Sequence, residues 1–320
     1  MKHALLLFVF VLGACSVAAA EKRESEEAEL IVCSQNLGSK QNRKNLSYLA
    51  ERIIRSGCNV VAVQEVSGDS KKKALKNLNK LSKVIEEFSG NNFNSYVGET
   101  NDRFIRNGFL VSSKLGEVSY SRSFSKVYLP KLMGSGPSKK FSRGPFMIQL
   151  EVAGKGGAKK RKVKIYSVHF KSKRNPWKDK SNTSFETLRV QMAEALRVLA
   201  QTRSDDVIII AGDLNSRVDS ATAAVLSGGR VLSDFQFKNS CSISKKLSPS
   251  CKTSARPEVF TPLLGKSSKK LASYRHNKSL ELIDDIYMNG KNSWMSEEIG
   301  VSGEFWKGSD HKLVWARINW

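Results

Sequence analysis

Short apolar runs rich in valine and isoleucine recur along the chain and constrain its fold more than any other feature. Runs of four to eight such residues are typical of buried β-strands. The clearest of them is Val207–Ala211, which Gly212 and then Asp213 and Asn215 follow. The runs that predict the other strands are Leu30–Ser34, Val60–Val66, Ser95–Val97, Gly108–Ser112, Glu117–Phe124, Phe146–Val152, Val163–His169, Leu282–Met288 and Lys312–Ile318.

Helical spacing of apolar residues appears between some of these strands but not between others. Segments 46–54, 75–85, 188–199 and, more weakly, 220–226 have this spacing, and the second has many lysines on its outer face. Several strands follow one another with no helix between them. This order predicts two β-sheets packed face to face with helices outside, in one α/β domain from residue 28 to 320.

The charge of the chain is strongly positive and indicates a polyanionic partner. Among 320 residues, 53 are Lys or Arg and 30 are Asp or Glu, which gives a formal net charge of +23. Such an excess favours nucleic acid, anionic lipid or acidic glycans. Lysine and arginine cluster at 71–73, 159–162 and 171–180.

The first twenty residues resemble a signal peptide, with Lys2, a short apolar run and Ala18–Ala20 before Glu21. We therefore expect residues 1–20 to be removed, residues 21–27 to be a flexible lead-in, and the mature protein to be secreted or periplasmic. In the alternative reading, the Leu12–Cys15 segment is a lipoprotein box and Cys15 carries a lipid anchor. No other segment is long and apolar enough to span a membrane.

Four cysteines remain after cleavage at Glu21, and an exported protein can form disulfides. Cys241 and Cys251 lie in a Ser- and Lys-rich loop that would gain most from a covalent link, so we expect a bond between them. For Cys33 and Cys58, which lie in or near apolar strands, we expect small buried thiols. No cysteine spacing indicates zinc.

Polar residues stand at the ends of six predicted strands. They are Asn36, Gln64–Glu65, His169, Asp213 with Asn215, Asp284–Asp285 and Ser309–His311. Turn chemistry explains any one of them. Taken together, carboxylates suit a hard cation such as Mg²⁺, a histidine beside an aspartate suits proton transfer, and an asparagine can orient a phosphate. The set therefore favours metal-assisted attack of water on phosphorus.

The same residues, in this order, resemble the endonuclease/exonuclease/phosphatase superfamily. The specific segments are VVAVQEV, IIIAGDLNS and GSDHKLV. The resemblance implies a four-layer αββα sandwich like that of deoxyribonuclease I, with the site at one edge. The segment 141-FSRGP-145 resembles the pancreatic-type deoxyribonuclease segment in which an arginine meets DNA phosphate. Arg143 is accordingly either a phosphate contact or a solvated charge.

The resemblance also implies roles for individual residues. Glu65 would bind a divalent cation, Mg²⁺ first with Mn²⁺ or Ca²⁺ as alternatives, and Asn36 and Asp310 would lie close to it. His311, oriented by Asp284, would act on the attacking water. Further catalytic residues would be His169 at the leaving oxygen and Asp213 with Asn215 at the phosphate.

Three departures from the deoxyribonuclease pattern affect these expectations. Ser67 and Gly68 stand where the pattern has an arginine, and no cysteine follows the GDLN segment. Arg106 and Asn107 stand where the pattern has the acid that pairs with the first histidine. Asn107 is therefore the candidate partner of His169.

The basic segment 171-KSKRNPWKDK-180 follows His169 directly and predicts contacts to nucleic acid through Lys171, Lys173, Arg174 and Trp177. Its alternative is a solvated loop with Trp177 packed on the core. We expect a monomeric, metal-dependent endonuclease of low sequence specificity that acts on DNA, with RNA as a second candidate. The alternatives are a sphingomyelinase-like enzyme with Phe305–Trp306 at a membrane, another phosphoesterase, and a non-catalytic module that binds polyanions.

Overall fold

A computed structural model describes residues 29–38, 41–130, 139–153, 160–172, 183–200, 207–228, 242–243, 249–250, 259–264, 272–276, 279–289, 295–304 and 308–319. The helices are α1 (Arg43–Arg55), α2 (Lys71–Ser89), α3 (Thr183–Leu199) and α4 (Ala221–Leu226), with a 3₁₀ turn at Ser113–Leu115. The strands are β1 (Leu30–Asn36), β2 (Val60–Ser67), β3 (Phe93–Val97), β4 (Ile105–Ser112), β5 (Tyr120–Ser123), β6 (Phe146–Val152), β7 (Arg161–His169), β8 (Val207–Asp213), β9 (Ser242–Ile243), β10 (Pro249–Ser250), β11 (Phe260–Pro262), β12 (Tyr274–His276), β13 (Ser279–Glu281), β14 (Asp284–Asn289), β15 (Met295–Ser302) and β16 (Leu313–Asn319).

Two six-stranded sheets form the centre of the protein. The first has the order β15-β16-β1-β2-β4-β3 and the second the order β11-β14-β8-β7-β6-β5. The hairpins β9–β10 and β12–β13 are separate from both sheets. β15 pairs along its whole length with β16, although the sequence had not predicted a strand there.

Three apolar clusters show the layers. One contains Val32, Val60, Ile165 and Ile209 from both sheets and lies between them. A second joins helices α1 and α2 to the outer face of the first sheet, and a third joins α3 and α4 to the outer face of the second. The layers are thus helix, sheet, sheet and helix, so the four-layer αββα prediction is confirmed.

Each sheet has one parallel strand pair at its centre. β1 and β2 are parallel and α1 connects them, while β7 and β8 are parallel and α3 connects them. The carboxyl ends of parallel neighbours lie at the same edge of a sheet. The ends of these four strands, at Asn36, Glu65, His169 and Asp213, are the ones at which the sequence placed polar side chains.

Gly212 lies inside β8, whereas the sequence suggested that it breaks the strand. It pairs with Val168 on one side and with Asp285 on the other. A Cβ atom at this position would lie 2.0 Å from the carbonyl oxygen of Val168. A glycine is therefore required by the close approach of β7, and the strand reaches Asp213 as a rigid element.

The expectation of free thiols at Cys33 and Cys58 was wrong, because these two residues form a disulfide with a Cα–Cα distance of 5.9 Å. The bond links β1 to the segment just before β2. Both cysteines are buried beneath α1 and α2. Reading each cysteine by its own apolar surroundings missed the bond, since pairing depends on how β1 and β2 lie side by side.

Some predictions fall outside the described residues. They are the signal peptide and lead-in at 1–27, the lipidation of Cys15, the Cys241–Cys251 bond, the segment Lys173–Trp177 and Phe305–Trp306. Within the described part of the chain, no helix has the length and apolar character needed to cross a membrane.

Breaking the Cys33–Cys58 bond should destabilise the protein by about 3 kcal/mol, because the bond closes a loop with a sequence separation of 25 residues in the unfolded chain. Urea denaturation of the wild type with and without reductant measures the loss. The Cys33→Ala/Cys58→Ala variant is the control and should be as unstable as the reduced protein and insensitive to reductant at this position. Equal stability of the variant and the oxidised wild type would contradict the prediction.

Candidate active site

The backbone bends at Glu65 so that its side chain points into the edge between the sheets. Glu65 has φ +58°, and the pairing of β2 with β4 shifts between Val63 and Val66. The side-chain amide of Gln41 donates to the Glu65 carbonyl at 2.6 Å. A left-handed conformation is uncommon for a non-glycine residue, and a bulge re-aims a side chain.

Asn215 holds the second left-handed position, with φ +50°. Among the described residues, Glu65 and Asn215 are the two non-glycine residues with positive φ. The Asn215 N–H donates to Oδ1 of Asp213 at 2.8 Å, and its side-chain amide donates to the Phe170 carbonyl at 3.3 Å. Asn215 therefore forms a turn and at the same time belongs to the candidate site. Both residues with a strained backbone, Glu65 and Asn215, are ones that the sequence predicted to be functional.

Asn36 bridges the carboxylates that the two sheets contribute. Its Nδ2 donates to Oε1 of Glu65 at 3.3 Å and to Oδ2 of Asp213 at 3.2 Å. Its Oδ1 accepts a hydrogen bond from the N–H of Gly38. The buried amide group of Asn36 thus donates both of its hydrogen bonds to carboxylates, one from each sheet, and holds them in place.

His311 is oriented by Asp284, as expected. Its Nδ1 lies 2.8 Å from Oδ2 of Asp284, and its Nε2 faces Oδ2 of Asp213 at 3.9 Å. Burial alone lowers the pKa of His311, but the nearby carboxylates of Asp284, Asp213 and Asp310 raise it to about 10. Of these carboxylates, Asp284 favours the protonated imidazole most.

Ser273 is a residue of this site that the sequence analysis missed. Its buried hydroxyl donates to Oδ2 of Asp284 at 2.8 Å and accepts from the N–H groups of Ile283 and Asp284. The same carboxylate oxygen thus bonds to Ser273 and His311. No apolar periodicity marks the segment around Ser273, so nothing local in the sequence pointed to this contact.

His169 faces the same oxygen of Asp213 as His311. Its Nε2 is 3.4 Å from Oδ2 of Asp213 and 3.9 Å from Oε1 of Glu65. Burial, together with the positive charges of Arg143 and His311, lowers the pKa of His169 well below its ordinary value of 6.5. The two imidazoles thus face the same carboxylate oxygen, but the pKa of His169 is lowered and that of His311 is raised.

Asn107 does not orient His169 through a hydrogen bond. Its Nδ2 donates to the Gly144 carbonyl at 2.9 Å, and within the described residues Nδ1 of His169 has no hydrogen-bond partner. The predicted pairing is absent, although Asn107 is buried and anchors the residue that follows Arg143.

Arg143 is buried, with 9% of its surface exposed, so the solvated alternative is excluded. Its Nη2 donates to the Phe170 carbonyl at 2.7 Å, while its Nε has no hydrogen-bond partner among the described residues. Burial lowers its pKa, and the charges of Asp213, Asp102 and Glu65 oppose this shift. Lys171 lies nearby, with Nζ 4.9 Å from the ring centre of Phe185.

Two further buried arginines hold the backbone of the site. Arg52 from α1 donates to the carbonyls of His311, at 2.9 Å, and Glu304. Arg189 from α3 pairs with Glu186 at 2.6 Å and donates to the Lys171 carbonyl at 3.1 Å. The carbonyls of His311 and Lys171 belong to residues that the sequence predicted for the site.

Asp285 and Asp310 have different surroundings from Asp284. Oδ1 of Asp285 accepts from the N–H groups of Leu264 and Ile286, so Asp285 holds the backbone rather than a histidine. Asp310 is partly exposed and acts on His311 through its charge. The structure therefore favours Asp284 over Asp285 as the partner of His311.

The donor set at this edge fits a hard divalent cation. Burial, and then the charge of Asp284, raise the pKa of Asp213 to about 7. Glu65 adds a carboxylate that is about a quarter exposed. Oxygen ligands of this kind suit Mg²⁺, Mn²⁺ or Ca²⁺.

Two groups of side chains could hold such an ion. One ligand atom from each of Asp213, Asp284 and His311 lies within 4.8 Å of the others. His311 and Asp284, however, are already bonded to each other through a proton. The second group is Glu65 with Asp213, which the side-chain amide of Asn36 joins.

The sequence model of the Endonuclease/Exonuclease/phosphatase family matches residues 33–311, and the chain belongs to that family. Members are hydrolytic phosphoesterases that generally depend on divalent metal ions. None of the curated proteins matches this sequence.

Several solved structures share the fold. A family protein from Bacteroides vulgatus has TM-score 0.59 and 12% identity, over 91% of this chain and 98% of that one. D. rerio TDP2, complexed with single-strand DNA product, has TM-score 0.57 and 15% identity, over 92% and 100%. The human Nocturnin catalytic domain, with bound sulfate, has TM-score 0.56 and 11% identity, over 91% and 94%. At these identities the likeness establishes the fold.

Replacing Asp284 by Asn should lower the pKa of His311 from about 10, because burial is then opposed only by the charges of Asp213 and Asp310. ¹⁵N NMR titration of the imidazole in chelator measures this, with a His311→Gln variant to assign the signal. The wild-type ring should stay protonated through pH 8. The Asp285→Asn variant is the matched control and should titrate like the wild type. Identical midpoints in the wild type and Asp284→Asn would contradict the assignment.

Proposed function

We propose that this protein is a divalent-metal-dependent phosphodiesterase that cleaves DNA within the chain with low sequence specificity. The observation that carries the proposal is the convergence of His169 and His311 on one carboxylate oxygen of Asp213. The flanking Glu65 and Asn36 provide acidic and amide groups beside it. A phosphate held over Asp213 would lie within reach of both imidazoles.

Geometry supports a role for each group. Asp284 holds Nδ1 of His311, so that Nε2 is the atom that exchanges or shares a proton with a phosphate or water oxygen. His169 presents its own Nε2 to the same oxygen of Asp213. Asp213 and Asn215, fixed on a rigid strand end, hold the reacting groups in line.

We propose that Glu65 is the main metal ligand and that Asp310, next to His311, contributes a second carboxylate. Asn36 holds Glu65 and Asp213 in place through its side-chain amide. When bound there, a divalent cation would draw charge off a phosphate oxygen. The buried Arg143 presents an unpartnered Nε and suits a non-bridging phosphate oxygen.

The substrate class rests on charge. The net charge of +23 attracts a polyanion, and Lys171 lies beside the phosphate site. Lys173, Arg174 and Trp177 remain proposed nucleic-acid contacts. Contacts to phosphates carry little sequence information, which supports low specificity.

We also propose that the protein acts as a monomer outside the cytosol. The Cys33–Cys58 disulfide is compatible with an oxidising compartment. The leader-like residues 1–20 support export, either free or with a lipid on Cys15.

Incubation with plasmid DNA, RNA or sphingomyelin vesicles tests the reaction. We expect DNA cleavage in Mg²⁺ that a chelator abolishes. His311→Ala and Asp284→Asn should lower kcat by about 10²–10⁴-fold, the typical contribution of a positioned acid or base. Asp285→Asn, whose carboxylate bonds to Leu264 instead, should stay within about threefold of the wild type unless its fold is lost, which a melting curve reports. Cleavage of sphingomyelin without cleavage of DNA would refute the proposed substrate, and DNA cleavage in chelator would refute the metal requirement.

Ser273→Ala should lower kcat by about tenfold with little change in KM, because a net hydrogen bond to a charged group is worth roughly 1.5 kcal/mol. Ser273 touches Asp284 and not the substrate space, so it is a positioning residue. Ser273→Thr keeps the hydroxyl and should recover most of the rate. Loss of rate in both variants at unchanged melting temperature would contradict the hydrogen-bond role.

A further inference from the structure

The outer face of helix α2 carries a row of lysines. Lys72, Lys76, Lys80 and Lys83 are all exposed and recur at helical spacing opposite the buried Ala74, Leu78, Leu81 and Ile85. We name these four residues the lysine row. The row spans about 16 Å at 1.5 Å per residue.

The lysine row is poorly neutralised by its surroundings. Lys71 and Lys73, outside the row, pair with Glu99 and Asp69. Lys80 bonds to Asn77, and no member of the row forms an ion pair among the described residues. Lys72, Lys76 and Lys80 are four residues apart, where like charges on a helix repel.

The placement of charge on α2 also opposes the helix dipole. Three lysines and no acid occupy the first turn, and the last turn has no basic residue and contains Glu86 and Glu87. Cations near a helix N-terminus are unfavourable by roughly 0.3–1 kcal/mol each. Helix stability therefore does not explain this arrangement, and a bound anion would relieve it.

The lysine row begins next to the candidate active site. α2 starts six residues after Glu65, and Gly68 between them donates from its N–H to the Phe104 carbonyl at 2.8 Å. Phe104 is 60% exposed, and the guanidinium of Arg103 lies 5.2 Å from its ring centre. A cation and an open aromatic face thus occupy the rim between the site and the row.

The outer face of α2 suits phosphates better than a lipid bilayer. Between Lys72 and Lys83, the exposed side chains of α2 are the lysine row, Lys73 and Asn79, with no apolar group among them. A helix that lies in a membrane interface needs a large apolar face turned toward the lipid. The exposed Phe88 lies beyond the row, next to Glu86 and Glu87, whose charge would repel an anionic membrane.

We propose that the lysine row binds the phosphate backbone of DNA outside the segment held in the active site. The inference rests on the proposed nuclease function and names the length of substrate that the protein prefers. A long duplex reaches both the site and the row, whereas a short one fills the site alone. The protein therefore binds long DNA more tightly than short DNA.

The test compares binding of a DNA hairpin with a stem of about 6 base pairs, roughly 20 Å long, and of a 40-base-pair duplex by fluorescence anisotropy, in chelator, over a range of salt concentrations. The wild type should bind the longer duplex more tightly. Lys72→Gln/Lys76→Gln/Lys83→Gln should lose at least about tenfold in affinity for it. The magnitude of the negative slope of log K against log salt should decrease by about 2 to 3, since each phosphate contact contributes about 0.9.

The matched control removes three charges elsewhere. Lys114, Lys160 and Lys162 are exposed, and they lie at the strand ends opposite the candidate site. The variant Lys114→Gln/Lys160→Gln/Lys162→Gln should keep the length preference and change affinity by less than about threefold. Its net charge equals that of the lysine-row variant, so a difference between the two cannot come from total charge.

Equal losses in both variants, or an unchanged length preference in the lysine-row variant, would overturn the inference. So would loss of binding to phosphatidylglycerol vesicles with DNA binding intact, which would assign the row to lipid. The melting temperature should be unchanged or higher in the lysine-row variant, because repulsion is removed. Cleavage of plasmid DNA by the wild type in Mg²⁺ is measured separately, so failure of the nuclease proposal is distinguished from failure of the lysine row to bind.

Discussion

A single buried carboxylate, Asp213, organises the edge where the two sheets meet. One of its oxygens faces Asn36, His169 and His311, and the other accepts the N–H of Asn215. Placing a carboxylate away from water is costly unless hydrogen bonds and positive charge surround it. The neighbours of Asp213 provide these, and they come from strands and loops of both sheets.

The position of Asp213 follows from a repeated topology. In each sheet a strand, a helix and a parallel strand lie at the centre, and the carboxyl ends of the two strands reach the same edge. One sheet delivers Asn36 and Glu65, and the other delivers His169 and Asp213. Antiparallel neighbours then add Asp284, directly opposite Asp213 in β14, and His311, just before β16. The six strand-end segments, each only one to three residues long, thereby form one site.

The sequence predicts this site well because hydrophobic runs locate the strand ends. The hydrophobic pattern of a short segment is enough to predict a strand, and the polar residues that follow it can be identified without knowing the fold. Contacts that depend on tertiary packing could not be predicted from the local sequence. The Cys33–Cys58 bond depends on the pairing of β1 with β2. The bond from Ser273 to Asp284 joins an irregular segment to a strand start, and Gly212 is needed because β7 lies close to β8.

Three departures from local stability rules share this edge of the molecule. Glu65 and Asn215 adopt left-handed backbone conformations, the pKa of Asp213 is raised, and α2 begins with lysines at the wrong end of its dipole. Sequences usually agree with their fold at every level, and they depart from it mainly where function requires. Left-handed backbone, buried carboxylates and the lysine row are therefore concentrated around one surface. A cation would balance the negative charge of the site, and a polyanion would balance the lysines beside it. The metal-dependent cleavage of a long anionic substrate that we propose would bring both together at the same edge.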